Sequence, residues 1–165
     1  MKKWKQRVKE EANLLNPAFL NVLFISAIKG YQEKNGEGLP YLYLFLIPPI
    51  VLHKSTRELL PRTIRTSLFT WLYENQKVKV SFFKRVASLK PFIQEAILFG
   101  VRANAIEIKE NGMIISQTPS NAINKIFRTE TEETKKCINE AKFLGKWFAG
   151  AGDVKTVLSL WGIRP

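Results

Sequence analysis

Cysteine and histidine are almost missing from this sequence, and their scarcity limits the chemistry that it can support. Among 165 residues there is one of each, Cys137 and His53. A single cysteine cannot close an internal disulfide, and no Cys/His spacing is typical of a metal site. One imidazole can complete at most one Ser/His/Asp or Cys/His arrangement, and no GxGxxG, GK[ST] or HExxH motif is present. We therefore expect a protein that is not an enzyme, binds no cofactor or metal, and lies in the reducing cytoplasm.

Long hydrophobic runs are absent as well. The most apolar stretch, from Leu39 to Leu52, is too short to cross a bilayer and is interrupted by Pro48 and Pro49. The first residues, MKKWKQRVKEEANLL, lack the apolar region and the cleavage site of a secretory signal. We therefore expect no membrane partner.

Acidic residues are few compared with basic ones. Lys and Arg outnumber Asp and Glu by 26 to 14, which gives a formal net charge of +12. Such a balance favours a polyanion or an acidic protein surface as partner. The excess is concentrated between Lys54 and Lys90, where nine cations face two Glu residues. The predicted nucleic-acid-binding residues are Lys54, Arg57, Arg62, Arg65, Lys84 and Arg85, with an acidic protein surface or plain solvent as the alternatives. His53, beside these cations, is interpreted as a cap or core residue.

The first half of the chain contains several signals for helix ends. Asn16-Pro17 predicts a helix that continues to the KNGEG turn, with Asn as N-cap and Pro at the first helical position. Pro40 predicts a second helix that ends at the double proline. Ser55 to Glu58 matches a capping box, and the apolar spacing from Thr63 predicts another helix to about Asn75.

The segment from Val80 to Ser116 predicts two helices, separated at Pro91, and then a hairpin. In IEIKENGMIIS, Asn111-Gly112 favours a two-residue type I′ turn, which places Ile108 opposite Ile115. Helices followed by a hairpin are the order of a winged helix-turn-helix. The predicted fold class is therefore α+β and mainly helical, with a winged helix-turn-helix-like core, one β-hairpin, and flanking N- and C-terminal helices.

We expect one domain over residues 1–165. Residues 1–15 form a basic extension, 16–117 a helical core that ends in the hairpin wing, and 118–165 the C-terminal helices, the last capped by Asp153. The C-terminal block is rich in aromatic residues, the types found at interface hot spots and equally in cores. The predicted partner-binding residues are Trp147, Phe148, Trp161 and Arg164, and the alternative for the aromatic ones is that they fill the core.

Several blocks of sequence resemble one known protein family. They are NPAFLNVLF, GLPYLYLFLIPPIVLHKSTRELLPR, TSLFTWLYEN, EAILFGV and GKWFAGAGDVKTVLSLWGIRP. In this order they are similar to the middle component of bacterial three-component ABC conflict systems, which overlap with the Lamassu-type antiphage defence systems. The resemblance implies a small non-enzymatic accessory subunit. Its implied partners are an SMC- or Rad50-like ABC ATPase that senses foreign DNA and an effector subunit, often nuclease-bearing, which the small subunit helps to keep inactive.

Two functions from different classes follow from the sequence. The first is an accessory and assembly subunit of an antiviral defence complex, with double-stranded DNA as a further candidate partner. The second is a free-standing winged-helix DNA-binding regulator, which the charge and the hairpin favour. The candidate recognition helix, PFIQEAILFGVRANA, has few side chains suited to base contacts, and this favours a protein-docking module instead.

Overall fold

A computed structural model of the protein describes residues 15–163. It contains eight α-helices and three short strands in this described part. The helices are α1 (Pro17–Asn35), α2 (Ile47–Val51), α3 (Lys54–Arg57), α4 (Leu68–Glu74), α5 (Phe82–Arg102), α6 (Ser120–Thr129), α7 (Glu132–Phe148) and α8 (Val154–Leu160). The strands are β1 (Leu39–Pro40), β2 (Ile106–Ile108) and β3 (Met113–Ser116), and single 3-10 turns cover Tyr41–Phe45 and Gln76–Lys79. The fold is thus α+β and mainly helical. The predicted extension, residues 1–15, lies outside the described residues except for Leu15.

Helices α1 and α7 form the centre of the fold because two glycines let their backbones touch. A Cβ atom added at Gly30 would lie 2.1 Å from the carbonyl oxygen of Lys142. One added at Gly145 would lie 2.0 Å from the carbonyl oxygen of Ala27. Both distances are too short for any side chain, so these two positions set the separation of the helices. Around this contact, both helices contribute to a single buried hydrophobic cluster.

The predicted ends of the first and last helices are confirmed. The Asn16 side chain accepts a hydrogen bond from the Ala18 N–H at 2.9 Å, and α1 ends before Gly36, whose φ is 73°. Asp153 caps α8 by accepting from the Thr156 N–H at 2.7 Å. These local motifs need no tertiary contact, which is why the sequence indicates them directly.

The predicted register of the hairpin is wrong by one residue, and a third strand was not predicted. Ile108 pairs with Ile114, and β1 joins the other edge of β3 to give an antiparallel sheet in the order β1-β3-β2. Gly112 has a φ of 76°, and Asn111 is not among the residues with positive φ. The turn is therefore a three-residue loop with one left-handed glycine and not a type I′ turn. As a result Ile114 is buried, whereas Ile115 is only partly so.

The structure does not confirm the winged helix-turn-helix core. The two helices predicted on either side of Pro91 are one continuous 21-residue helix, α5. Proline removes one helical hydrogen bond, which here frees the carbonyl group of Ala87. Because Ala87 and Pro91 are both exposed, water can satisfy that carbonyl. Buried residues from Phe82 to Gly100 meanwhile hold both halves of the helix against the core.

Between residues 40 and 75 the helix boundaries differ from the predicted ones. Pro48 and Pro49 lie in the first turn of α2 and do not end a helix, because a missing N–H costs nothing at that position. Helix α3 begins at Lys54 after His53, so Ser55 is not its cap. The helix predicted from Thr63 begins only at Leu68, where the Ser67 hydroxyl accepts from the Thr70 N–H at 3.1 Å.

Candidate interaction surfaces

Arg57 is a buried cation with partners inside the protein. Only 6% of its surface is exposed. Its guanidinium donates to the carbonyl oxygen of Val51 and to the Glu133 carboxylate, and it lies 3.3 Å from the Cys137 sulfur. Burial raises the pKa of the Cys137 thiol, while the Arg57 charge opposes that rise. Arg57 therefore joins the turn at α3 to the first half of α7. No local pattern indicates this partner, because Glu133 is 76 residues away along the chain.

Arg85 and His53 meet at the buried hydroxyl of Thr56. The Arg85 guanidinium donates to this hydroxyl at 3.0 Å and to the Val78 carbonyl oxygen at 2.8 Å. His53 Nδ1 lies 2.8 Å from the same hydroxyl. Burial and then the Arg85 charge lower the pKa of His53, which favours a neutral ring. The neutral ring can accept a hydrogen bond from the Thr56 hydroxyl at Nδ1. This geometry fits the predicted cap or core role of His53 and gives Arg85 a role in holding the fold.

The six predicted nucleic-acid-binding residues are thus divided by the fold. Arg57 and Arg85 are hydrogen-bonded within the chain, whereas Lys54, Arg62, Arg65 and Lys84 are exposed. Lys54 lies 3.8 Å from Glu58 in an exposed ion pair, which is weak enough to leave it available. Contact with nucleic acid stays a prediction, and the four exposed cations are the ones placed to make it.

The aromatic residues predicted to bind a partner lie in the interior of this chain. Trp147, Phe148 and Trp161 are at most 2% exposed. Trp161 stacks on Phe82 with ring centroids 4.3 Å apart, and its ring lies 5.9 Å from that of Trp71. This placement matches the core alternative, and contact with a partner stays a prediction. Arg164 lies outside the described residues.

Two of these tryptophans anchor the loop that carries Arg62 and Arg65. Trp71 Nε1 donates to the carbonyl oxygen of Leu59 at 2.7 Å, and Trp147 Nε1 donates to that of Thr66 at 2.6 Å. We call residues 60–66 the anchored loop. Both ends of this loop are tied to indole groups, while its two arginines lie in solvent. These long-range hydrogen bonds explain why the loop is ordered without forming the predicted helix.

An exposed aromatic surface lies beside the anchored loop, and the sequence did not reveal it. Phe69 and Tyr73 on α4 are 63% and 70% exposed, and their rings stack with centroids 6.4 Å apart. Two cavities of about 310 and 350 Å³ adjoin them and share Phe69 and Leu160 in their walls. We call these two cavities together the α4 groove. The spacing of Phe69 and Tyr73, one helical turn apart and beside the buried Leu68 and Leu72, is the signal that could have indicated it.

The charges around the α4 groove are all of one sign in the described part of the chain. Arg65 lines one cavity and Lys79 lines the other, and neither wall includes an acidic side chain. Exposed aromatic rings between cations are typical of surfaces that bind another molecule. The groove is therefore suited to an acidic segment with an apolar face.

Other kinds of site are not seen among residues 15–163. No group of three or more His, Cys, Asp or Glu side chains there is placed to hold a metal ion. None of the helices in this range combines the length and the apolar content that crossing a lipid bilayer requires.

Comparison with known proteins identifies the family of this chain. No curated protein and no solved structure matches the chain. The model of one protein family, the ABC-three component (ABC-3C) system Middle Component 3, matches residues 4–165. This match includes the anchored loop, the α4 groove and the C-terminal aromatic block. Because it covers nearly the whole sequence, the chain belongs to the Middle Component 3 family of ABC-three component systems.

Proposed function

We propose that this chain is a non-enzymatic accessory subunit of an antiphage defence complex of the Lamassu kind. In this proposal it works in the cytoplasm and bridges an SMC- or Rad50-like ABC ATPase and an effector subunit. Membership in a family of middle components carries the proposal, because a middle component implies partner components. The arrangement of exposed side chains supports a binding role, since aromatic and cationic groups point outward together at the α4 groove.

In this proposal the α4 groove binds an acidic, amphipathic segment of one partner. Phe69 and Tyr73 would supply the apolar contact, and Lys79 would pair with a carboxylate beside them. An interface of this type depends on a few large side chains, each contributing more than about 1 kcal/mol. The surrounding cations would mainly raise the association rate and make it sensitive to salt.

Co-purification tests the partner role. The chain is co-expressed with the products of its two adjacent genes, either unchanged or as Phe69→Ala/Tyr73→Ala. We expect a stable complex that the double variant loses or weakens at least about tenfold in affinity, because two exposed rings leave the contact. The matched control is Phe83→Ala/Leu98→Ala, which removes two exposed apolar side chains from α5 and is expected to retain the complex. A complex that survives the α4 change would rule out the groove as its contact.

In the same proposal, Lys54, Arg62, Arg65 and Lys84 contact DNA phosphates. Each phosphate contact adds about one unit to the slope of log affinity against log salt concentration. Replacing these four residues with Ala is expected to reduce that slope for the assembled complex by up to about four units. The control is Lys34, Lys109, Lys125 and Lys136 replaced with Ala, which removes the same charge from other exposed positions. Equal slopes for both variants would show that only net charge matters.

The rival function, a free-standing DNA-binding regulator, is supported by the same four exposed cations. It predicts a chain that is monodisperse without the neighbouring gene products and that binds duplex DNA alone. Such a result, together with no co-purification of either neighbour, would favour the regulator over the accessory subunit.

A further inference from the structure

A second cleft lies on another part of the molecule, where α6 and the end of β3 meet α1 and α7. Its volume is about 680 Å³, which is within the range of about 300–1,000 Å³ found for small-molecule sites. It is separate from the α4 groove, because the two share no lining residue. Lys29 on α1 and Lys142 on α7 both line it, and the two helices are in close contact next to these lysines, at Gly30 and the Lys142 backbone.

The charges on this cleft do not balance. Glu33 is the one acidic side chain among its described lining residues, and it pairs with both Lys142 and Lys146 at 2.6 Å. Burial acts to raise the pKa of Glu33, but the hydrogen bonds from these two lysines lower it overall, so the carboxylate is charged near neutral pH. Lys29 also lines the cleft, and its Nζ contacts the Ser120 hydroxyl at 3.3 Å. At this cleft, three ammonium groups are thus offset by one carboxylate, which pairs with Lys142 and Lys146 and not with Lys29.

Lys29 is placed where an anion would stabilise it. Among the described residues no carboxylate pairs with it, and Lys142 lies close enough to repel it. Burial, and then the Lys142 charge, lower the pKa of Lys29. An anionic group between the two lysines would remove this repulsion and balance the local excess of positive charge.

The remaining walls of the cleft combine polar and apolar groups. Asn124 and Asn139 provide amide groups that can donate hydrogen bonds. Ile123, Phe127 and Ile138 provide an apolar wall, with Phe127 only partly buried. A ligand that fits both parts has an anionic end and a flat, weakly polar end.

We propose that this cleft binds a phosphorylated small molecule of nucleotide size. Its phosphate lies between Lys29 and Lys142, and its base lies against Phe127. The two asparagines donate to the phosphate or sugar oxygens. This inference does not depend on the proposed function, because it concerns a different surface and a different kind of ligand.

Calorimetric titration of the purified chain with ATP, AMP and inorganic pyrophosphate tests the inference. We expect ATP to bind and Lys29→Gln/Lys142→Gln to weaken that binding at least about tenfold, since two charge-assisted contacts are lost. The control is Lys125→Gln/Lys136→Gln, which makes the same charge change at exposed positions of α6 and α7 and is expected to bind as the unchanged chain does. Circular dichroism confirms that each variant is folded.

Three results would overturn the inference. The first is that none of the three probes binds, and the second is that the cleft variant and the control variant weaken ATP binding equally. The third is equal affinity of the unchanged chain for ATP and pyrophosphate, which would reject a nucleotide as the ligand. Phe127→Leu sharpens the assignment, because it should weaken the binding of ATP more than that of pyrophosphate. Co-purification of the Lys29→Gln/Lys142→Gln chain with its neighbours reports separately on the accessory-subunit proposal.

Discussion

Helix α4 divides its aromatic side chains between two environments. Trp71 is 3% exposed and contacts Trp147 and Trp161, with ring centroids 5.4 and 5.9 Å away. Phe69 and Tyr73, on the same two turns of helix, are mostly exposed and stack on each other. The inner ring stabilises the fold through burial of apolar area, whereas the outer rings add little to it. One short helix can therefore hold the fold together with one face and bind a partner with the other.

The strongest way to test this contrast is to remove one ring from each face. Trp71→Ala should reduce the free energy of unfolding by about 3–5 kcal/mol, because a buried indole would leave a cavity beside Trp147 and Trp161. Tyr73→Ala should change it by less than about 0.5 kcal/mol, because the ring is mainly in solvent. Urea denaturation measures both. Similar losses would mean that the outer rings also stabilise the fold.

The contact of α1 and α7 gives the next largest effect. Gly145→Ala puts a Cβ 2.0 Å from the Ala27 carbonyl oxygen, which forces the helices apart. Such overpacking costs about 1–3 kcal/mol or more, against a gain of about 1 kcal/mol from the better helix former. We expect a net loss of about 2 kcal/mol in urea denaturation.

Gly150→Ala is the matched control for this change. A Cβ atom at that position would meet its nearest neighbour, the Trp147 carbonyl oxygen, at 3.8 Å, an ordinary contact. Its expected change is within about 0.5 kcal/mol. If Gly145→Ala were equally mild, the two helices would be able to separate freely, contrary to the central role of their contact.

Two adjacent carboxylates show a similar contrast, because one pairs with a buried cation and the other with a cation at the surface. Glu133 accepts from the buried Arg57, whereas Glu132 pairs with Lys135 at the surface. Glu133→Gln replaces the charged acceptor of Arg57 with a neutral amide oxygen, so the ion pair is lost while a hydrogen bond from the charged guanidinium can remain, and this should cost about 1 kcal/mol. Glu132→Gln should cost less than about 0.5 kcal/mol, as exposed pairs usually do. Thermal unfolding of both variants measures this difference. Equal shifts in melting temperature would mean that the contact of Arg57 with Glu133 does not stabilise the fold.

Short-range signals explain why much of the fold was predictable. The Asn16 and Asp153 caps, the left-handed Gly36 and the helical spacing in α1, α7 and α8 all act within a few residues. The wrong predictions have one distant cause and one local cause. The helix expected from Thr63 begins only at Leu68, because the indole groups of Trp71 and Trp147 bind the preceding chain at Leu59 and Thr66. The hairpin register differs by one residue from the predicted one, because Gly112 and not Asn111 takes the left-handed conformation in the turn.

The surfaces were harder to predict than the fold. The pattern of the sequence did not distinguish the buried Arg57 from the exposed Arg62. The α4 groove needs Leu160 from the other end of the chain to complete both cavities. No spacing rule reports such a meeting of distant residues, so only the folded chain reveals it.

The smallest predicted effect concerns His53, whose ring is exposed while its Nδ1 contacts the buried Thr56 hydroxyl. Burial, and then the Arg85 charge, lower the pKa of His53 in the folded chain, so the unfolded chain binds the proton more readily. The stability that results is fully present above the unfolded value of about 6.5 and is lost as the pH falls from there through the lower pKa of the folded chain. Unfolding in urea at about pH 8 and about pH 5 should therefore show a smaller decrease for His53→Gln than for the unchanged chain.

The difference in this decrease between the unchanged chain and His53→Gln isolates the contribution of His53, because the sequence has no other histidine. Glu140, whose pKa burial raises, acts in the opposite direction, since the folded chain takes up its proton first as the pH falls. It does so in both proteins and cancels. Identical decreases in the two proteins would mean that Thr56 accommodates a charged His53 without loss. The hydrogen-bonded group of His53, Thr56 and Arg85 would then tolerate a charge as an exposed site does, although the Thr56 hydroxyl is buried.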